Sequence, residues 1–245
     1  MIKLLPEPRY LKETKNDLLI VNGMYIVLNS YCDESDFFAA EQLRDTIKEI
    51  SGINLIIEKD EAIDRGGEKT LRVLTIAGIL ALRSIFNKVK PLPAKFGNEG
   101  YTVEVDDRVV LTAKGSAGLF YGVQTLKQLI YKKGKEVFIK GIKILDWPAF
   151  KYRGIMLDIS RGQVPKINSL KEMIVKYSSL KINLLNLYTE HTFKFKKHPL
   201  IGKNAGGYSA RDINEIDEFA KKHFVELAGS FQSFGHQAHI LNIPK

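Results

Sequence analysis

Arg153-Gly-Ile-Met-Leu-Asp158, then Ser169-Leu-Lys-Glu172, then Ile182-Asn-Leu-Leu-Asn-Leu187 is the stretch that decides the fold. The first segment is a short apolar strand. The second has the form of a capping box, in which a serine and a glutamate three residues apart satisfy orphan amides at a helix start. It opens a helix on which Leu170, Met173, Ile174, Tyr177 and Leu180 keep helical spacing. The third is another strand. The rhythm then repeats, with Ser209-Ala-Arg-Asp212 capping a helix that carries Ile213, Ile216, Phe219 and Ala220, and Phe224-Val-Glu-Leu-Ala228 as a third strand. Strands alternating with helices imply βαβ units and a parallel sheet. Two architectures compete: a doubly wound sheet, and a (β/α)8 barrel, which typically takes about 250 residues. Three units cannot close a barrel. They would leave unpaired strand edges, so on the barrel reading the chain is unfinished and stops at Pro244-Lys245 in what reads as a loop.

Toward the amino terminus the pattern changes to a mixture of strands and helices. Leu18 to Val27 reads as a strand broken at Asn22-Gly23, and Phe37 to Ile50 as a helix with Phe38, Leu43, Ile47 and Ile50 on one face and Gly52 as its stop. Ile53 to Ile57 and Leu71 to Ala77 are apolar runs of strand length. Tyr101 to Val105 and Arg108 to Thr112 flank Asp106-Asp107 as a hairpin. Ser116 is the expected N-cap of a helix running from Ala117 to Tyr131. The reading is α/β overall: a small α+β domain over 1–145, with a mostly antiparallel sheet and helices on one face, followed over 146–245 by an incomplete (β/α)8 barrel of about three βα units. Asp146-Trp147-Pro148 marks the change.

Composition narrows the functions open to such a chain. Of its 245 residues 44% are hydrophobic and 27% charged, as in soluble globular proteins. No apolar run approaches the roughly 18 residues of a membrane span. The opening Met1-Ile-Lys-Leu-Leu-Pro has no apolar core or cleavage site of a signal peptide, so a cytoplasmic location is expected. The lone Cys32 forms no internal disulfide and suits a reducing compartment. The net charge of +9 divides as +3 over residues 1–145 and +6 over 146–245. Its densest groups, Lys132-Lys133-Gly-Lys135 and Lys194-Phe-Lys196-Lys197, lack the interleaved aromatics and glycines of an RNA-binding strand, so no nucleic-acid partner is expected.

Parallel α/β folds gather ligands at the carboxyl ends of their strands. Asp158, Ser160 and Arg161 follow the first strand; Tyr188, Thr189, Glu190 and His191 the second; Ser230, Gln232, Ser233, Gly235 and His236 the third. Arginine can fork onto a sugar diol or a carboxylate, and histidine and glutamate can bond further hydroxyls or exchange protons. Each group also has a plainer role: Asp158 and Arg161 as a structural ion pair, Glu190 and His191 as loop residues, His236 as a turn or buried histidine. Glu190, His191, His198, His236 and His239 lack the tight spacing of a metal site, and neither a metal nor any other cofactor is expected. No phosphate loop is present; the glycines from Gly202 to Gly207 do not lead from a strand into a helix with suitable spacing.

Four motifs resemble family-20 glycoside hydrolases, the β-N-acetylhexosaminidases. Gly115-Ser-Ala-Gly-Leu-Phe-Tyr-Gly-Val-Gln-Thr-Leu-Lys-Gln-Leu129 is similar to the last helix of the α+β domain that precedes that family's barrel. Ile144-Leu-Asp-Trp-Pro-Ala-Phe-Lys-Tyr-Arg-Gly-Ile-Met-Leu-Asp-Ile-Ser-Arg161 is similar to the approach to barrel strand one. Lys181-Ile-Asn-Leu-Leu-Asn-Leu-Tyr-Thr-Glu190 looks like strand two, and Ser233-Phe-Gly-His236 like the turn after strand three.

The resemblance implies that Arg161 holds hydroxyls of the terminal non-reducing sugar, with Asp158 in support, and that His236 is the strand-three histidine beside the catalytic acid. Where the family has two successive aspartates this chain has Glu190 and His191. The first keeps a carboxylate; the second reverses the chemistry and implies an altered sugar contact. Family members act by substrate assistance: a glutamate protonates the leaving oxygen, the substrate's 2-acetamido carbonyl attacks the anomeric carbon, and a preceding aspartate orients it, so no protein nucleophile is needed. That Asp-Glu pair follows strand four, so no catalytic residue is expected within these residues; Asp217-Glu218 falls mid-helix on a polar face. The expectation is a hexosaminidase-type glycosidase, inactive alone, that recognises N-acetylhexosamine-containing glycans. Its exposed edges imply self-association or a complementing chain. The alternatives are a non-catalytic carbohydrate-binding or partner-docking protein derived from that fold, and an unrelated nucleotide-binding α/β protein.

Overall fold

The computed structural model describes residues 2–60, 71–78 and 92–242; the ending at Pro244-Lys245 lies outside them. The chain divides into two compact units, Met1–Ala149 and Phe150–Lys245.

In the first unit β1 (Tyr10–Glu13), β2 (Leu18–Ile20) and β3 (Met24–Asn29) lead into helix α1 (Glu34–Ser51) and strand β4 (Ile56–Asp60). Then come β5 (Arg72–Gly78), β6 (Tyr101–Val105), β7 (Val109–Ala113), helix α2 (Ser116–Gln128), β8 (Ile130–Lys133), β9 (Glu136–Ile139) and β10 (Ile142–Asp146). Seven strands form one sheet in the order β1-β10-β6-β7-β5-β3-β4, and β2-β9-β8 form a second. The larger sheet is antiparallel except for β3 and β4, the two strands that α1 connects. The break at Asn22-Gly23 therefore separates two sheets rather than interrupting one strand, and Gly23 turns the chain at φ 83°.

Helix α1 begins earlier than its apolar face suggests, because Asp33 and Asp36 form a reciprocal capping box. It ends at Gly52, which takes the left-handed conformation at φ 76°. Helix α2 shows a different start from the expected one. Gly115 is its N-cap, with no side-chain bond, because the Ser116 hydroxyl turns to the Asp33 carboxylate at 3.3 Å. It also stops at Gln128, since Ile130 and Tyr131 pair with Ile139 and Phe138 as β8. A Cβ on Gly118 would lie 2.6 Å from the Gly100 carbonyl oxygen, so glycine lets α2 lie tight on the sheet. The hairpin loop spans three residues rather than two, for Val105 pairs with Val109 and the Asp106 amide bonds the Arg108 carbonyl at 3.0 Å.

The second unit runs β11 (Gly154–Asp158), α3 (Ile167–Ser179), β12 (Leu184–Tyr188), α4 (Ala210–Lys222) and β13 (Glu226–Ser230), then one helical turn at Ala238–Leu241. All three strands are parallel and level, with Asp158, Tyr188 and Ser230 in one row at their carboxyl ends. Leu185 and Leu187 are buried against Leu170, Ile174, Ile216 and Ala220 of the two helices, with Leu157 and Leu227 packed alongside. Each such leucine stabilises the unit by roughly 1.5–3 kcal/mol relative to exposure. The Ser209 capping box forms as expected. That at Ser169 does not: α3 starts at Ile167, which packs against the core and draws the first turn ahead of the serine.

Candidate functional site at the strand ends

The row of Asp158, Tyr188 and Ser230 is extended by bonds that carry the ladder past the strands. The Ile159 amide donates to the Tyr188 carbonyl at 3.1 Å, and the Thr189 amide to that of Ser230 at 3.0 Å. The three turns are thereby fixed to one another. After β11, the Ser160 amide and hydroxyl both donate to Asp158 Oδ1, at 2.8 and 2.7 Å. That tight turn folds Arg161 back over the strand ends. The Ser160 hydroxyl, with Arg161 close by, holds the Asp158 carboxyl below the usual carboxylate range.

Arg161 is the hub. Its Nη1 donates to Asp158 Oδ2 at 3.0 Å, its Nη2 lies 3.0 Å from Glu190 Oε1, and its guanidinium stands 5.0 Å above the Tyr188 ring. Contact with Tyr188, then the charges of Asp158 and Glu190, raise its pKa further above the ordinary value, so its charge is permanent. About half of the side chain remains exposed, with donors left for a ligand.

Glu190 is the buried member, 6% exposed. Its Oε1 is shielded from water and, among the described residues, accepts no aligned hydrogen bond despite the ion pair with Arg161. A buried carboxylate oxygen with spare acceptor capacity is costly unless a donor reaches it. His236 Nδ1 stands 4.0 Å from the same oxygen, beyond hydrogen-bond reach. Both Glu190 (φ 40°) and His236 (φ 55°) hold left-handed backbone without being glycine. Such strain costs on the order of 1–3 kcal/mol, persists only where the surroundings fix it, and clusters at functional sites.

The structure thus joins Asp158, Arg161, Glu190 and His236. His191 follows Glu190 in the β12 turn. Tyr188 has a role that strand-end position alone did not reveal, as the platform under the guanidinium; the sequence signal is its place one strand over from Asp158 in the register. The ring of Phe231, just past β13, was also missed; it packs edge-on against Phe195 at 5.8 Å. Among the described residues no group of three or more His, Cys, Asp and Glu side chains could hold a metal ion. Cys32 is buried, and burial pushes its thiol up to about 12, which leaves it no nucleophile at neutral pH. No helix among the described residues is long and apolar enough to cross a membrane.

A sheet-rich unit, and a second whose polar groups converge at the ends of parallel strands, where α/β folds gather ligands, define a mixed α/β protein. Residues 1–147 match the family model described as glycosyl hydrolase family 20, domain 2, and the chain belongs to that family of glycosidases. It is 28% identical over 149 residues to the rat β-hexosaminidase subunit alpha, covering 56% of this chain and 28% of that one. It is 30% identical over 169 residues to a β-hexosaminidase of Porphyromonas gingivalis, covering 59% and 21%. The β-N-acetylhexosaminidase of Streptomyces coelicolor superposes with a TM-score of 0.76 at 21% identity, over 97% of this chain and 48% of that one, a likeness of fold. The chain spans less than half the length of each of these relatives.

Proposed function

We propose that this chain is the sugar-holding part of a β-N-acetylhexosaminidase, and that its second unit is the first three βα units of a (β/α)8 barrel. Arg161, Glu190, His191 and His236, with Asp158 in support, would bind a terminal non-reducing N-acetylhexosamine. The observation that carries this reading is Glu190 Oε1, buried and short of a hydrogen-bond donor beside an arginine that keeps donors of its own. A sugar diol supplies both needs: one hydroxyl donates to the carboxylate and a neighbouring oxygen accepts from the guanidinium. The face of the second unit opposite its helices, where Met156 is 64% exposed, suits a barrel interior.

The chemistry that fits this family is substrate-assisted and retaining, with the substrate's acetamide oxygen attacking the anomeric carbon as a protein carboxyl protonates the leaving oxygen. Residues holding the sugar act before that step, by fixing the ring. The acid and the aspartate that orients the acetamide are proposed to lie outside these 245 residues. Asp217-Glu218 is no substitute, since Asp217 pairs with Lys221 at 2.6 Å along α4, away from the strand ends. The chain alone is therefore expected to release no chromophore from a nitrophenyl N-acetylglucosaminide. Steady hydrolysis that disappears in Arg161→Ala would overturn the placement of the acid.

A further inference from the structure

Between β12 and α4 the chain makes a long loop that doubles back on itself. The Lys194 amide bonds the Tyr208 carbonyl at 2.8 Å and the Tyr208 amide bonds the Thr192 carbonyl at 2.9 Å, which ties the loop's two ends together. A groove of about 550 Å3 opens along it, lined by Lys194, Lys196 and Lys203 on one hand and Phe195, Pro199 and Ile201 on the other. That volume lies within the range of small-ligand sites. No Asp or Glu is among the residues that line it. Lys194 shares the field of Asp212, whereas Lys196 and Lys203 are exposed and, among the described residues, in no salt bridge.

The groove abuts the strand-end cluster at two points. Gly202, in its wall, has φ 65°, and a Cβ there would lie 1.9 Å from the carbonyl oxygen of His191, so the loop backbone rests on the residue after Glu190. Phe195 packs edge-on against Phe231, just past the end of β13. A sugar linked to one held by Arg161 and Glu190 has this groove beside it. We propose that the groove accepts an anionic sugar, carrying a carboxylate or sulfate, joined to the terminal hexosamine. Its apolar face would lie on Phe195 and its charge would meet Lys196 and Lys203. The inference extends the sugar-binding reading of the strand ends, on which it rests for the linkage but not for the charge preference.

The test uses the 245-residue chain and titrations at low salt with methyl glucuronide, methyl glucoside 6-sulfate and neutral methyl glucoside, and with N-acetylglucosamine alone. Both acidic monosaccharides should bind more tightly than the neutral one by about tenfold, with the stronger of them naming the acidic group. The preference should shrink with added salt, and fall to near one in Lys196→Gln/Lys203→Gln of unchanged melting temperature. Should that double variant melt early, the single Lys203→Gln is read instead. Equal affinity for acidic and neutral sugars, or a preference that survives loss of the lysines, overturns the proposal. If N-acetylglucosamine fails to bind while the lysine-dependent preference stands, the strand-end reading falls and the groove remains; the converse removes the groove alone.

Discussion

Arg161 is held from three directions, by Asp158 from its own turn, by Glu190 from the next strand end and by the Tyr188 ring beneath it. A lysine at this position would keep the charge but lose the planar fork and the stacking on the ring. Arg161→Lys is therefore expected to weaken N-acetylglucosamine binding about tenfold in calorimetric titration, and affinity within twofold of the parent would reduce Arg161 to a mere point charge. The Asp158 carboxyl is held below its ordinary range, chiefly by the Ser160 hydroxyl. A depressed carboxyl stays charged from neutral pH down past its ordinary pKa, and the support it gives Arg161 is lost only as pH falls through the lowered value. Sugar affinity measured against pH should thus show no Asp158-dependent loss above about pH 4 and decline below it; in Asp158→Asn that acid-side step should be absent.

At the scale of elements, two serines with the same apparent sequence role part company. Ser209 accepts the Asp212 amide at 3.2 Å and caps α4, whereas Ser169 lies inside the first turn of α3. Ser209→Ala should cost about 1 kcal/mol in chemical denaturation, while Ser169→Ala should change stability by less than about 0.5 kcal/mol; equal losses would contradict these helix starts. The same contrast shows what could be read from sequence. Apolar periodicity placed the three strands and two long helices of the second unit, because Leu185, Leu187, Ile174 and Ile216 have one buried side to face, but not the short helical turn at Ala238–Leu241. Element ends were less legible, since they depend on partners distant in sequence. Ser116 forgoes its cap for Asp33, and Tyr131 leaves its helix to pair with Phe138. In the candidate site, the strand-end rule offered Asp158, Arg161, Glu190 and His236 from local position, and the structure brings these four together. The Tyr188 platform and the Phe195–Phe231 contact required the register and the path of a long loop, which no local pattern encodes.

On the scale of the whole molecule, family membership rests on the first unit, while the proposed chemistry rests on the second. The charge follows that division, with +6 of the net +9 carried after residue 145, including the four lysines of the β12–α4 loop, three of which line its groove. On the proposed reading, a basic second unit would hold a neutral sugar at its strand ends and an acidic one beside it, which would account for that excess without a nucleic-acid partner. The account stands on whether three strand ends from separate parts of the sequence act together on one sugar. N-acetylglucosamine titrated into the 245-residue chain, followed by the amide resonances of residues 158–161, 188–191 and 230–236, tests this most directly. Saturable shifts at all three strand ends, abolished in Arg161→Ala, are the predicted result; no saturable shift there, or the same shifts in the variant, would contradict it.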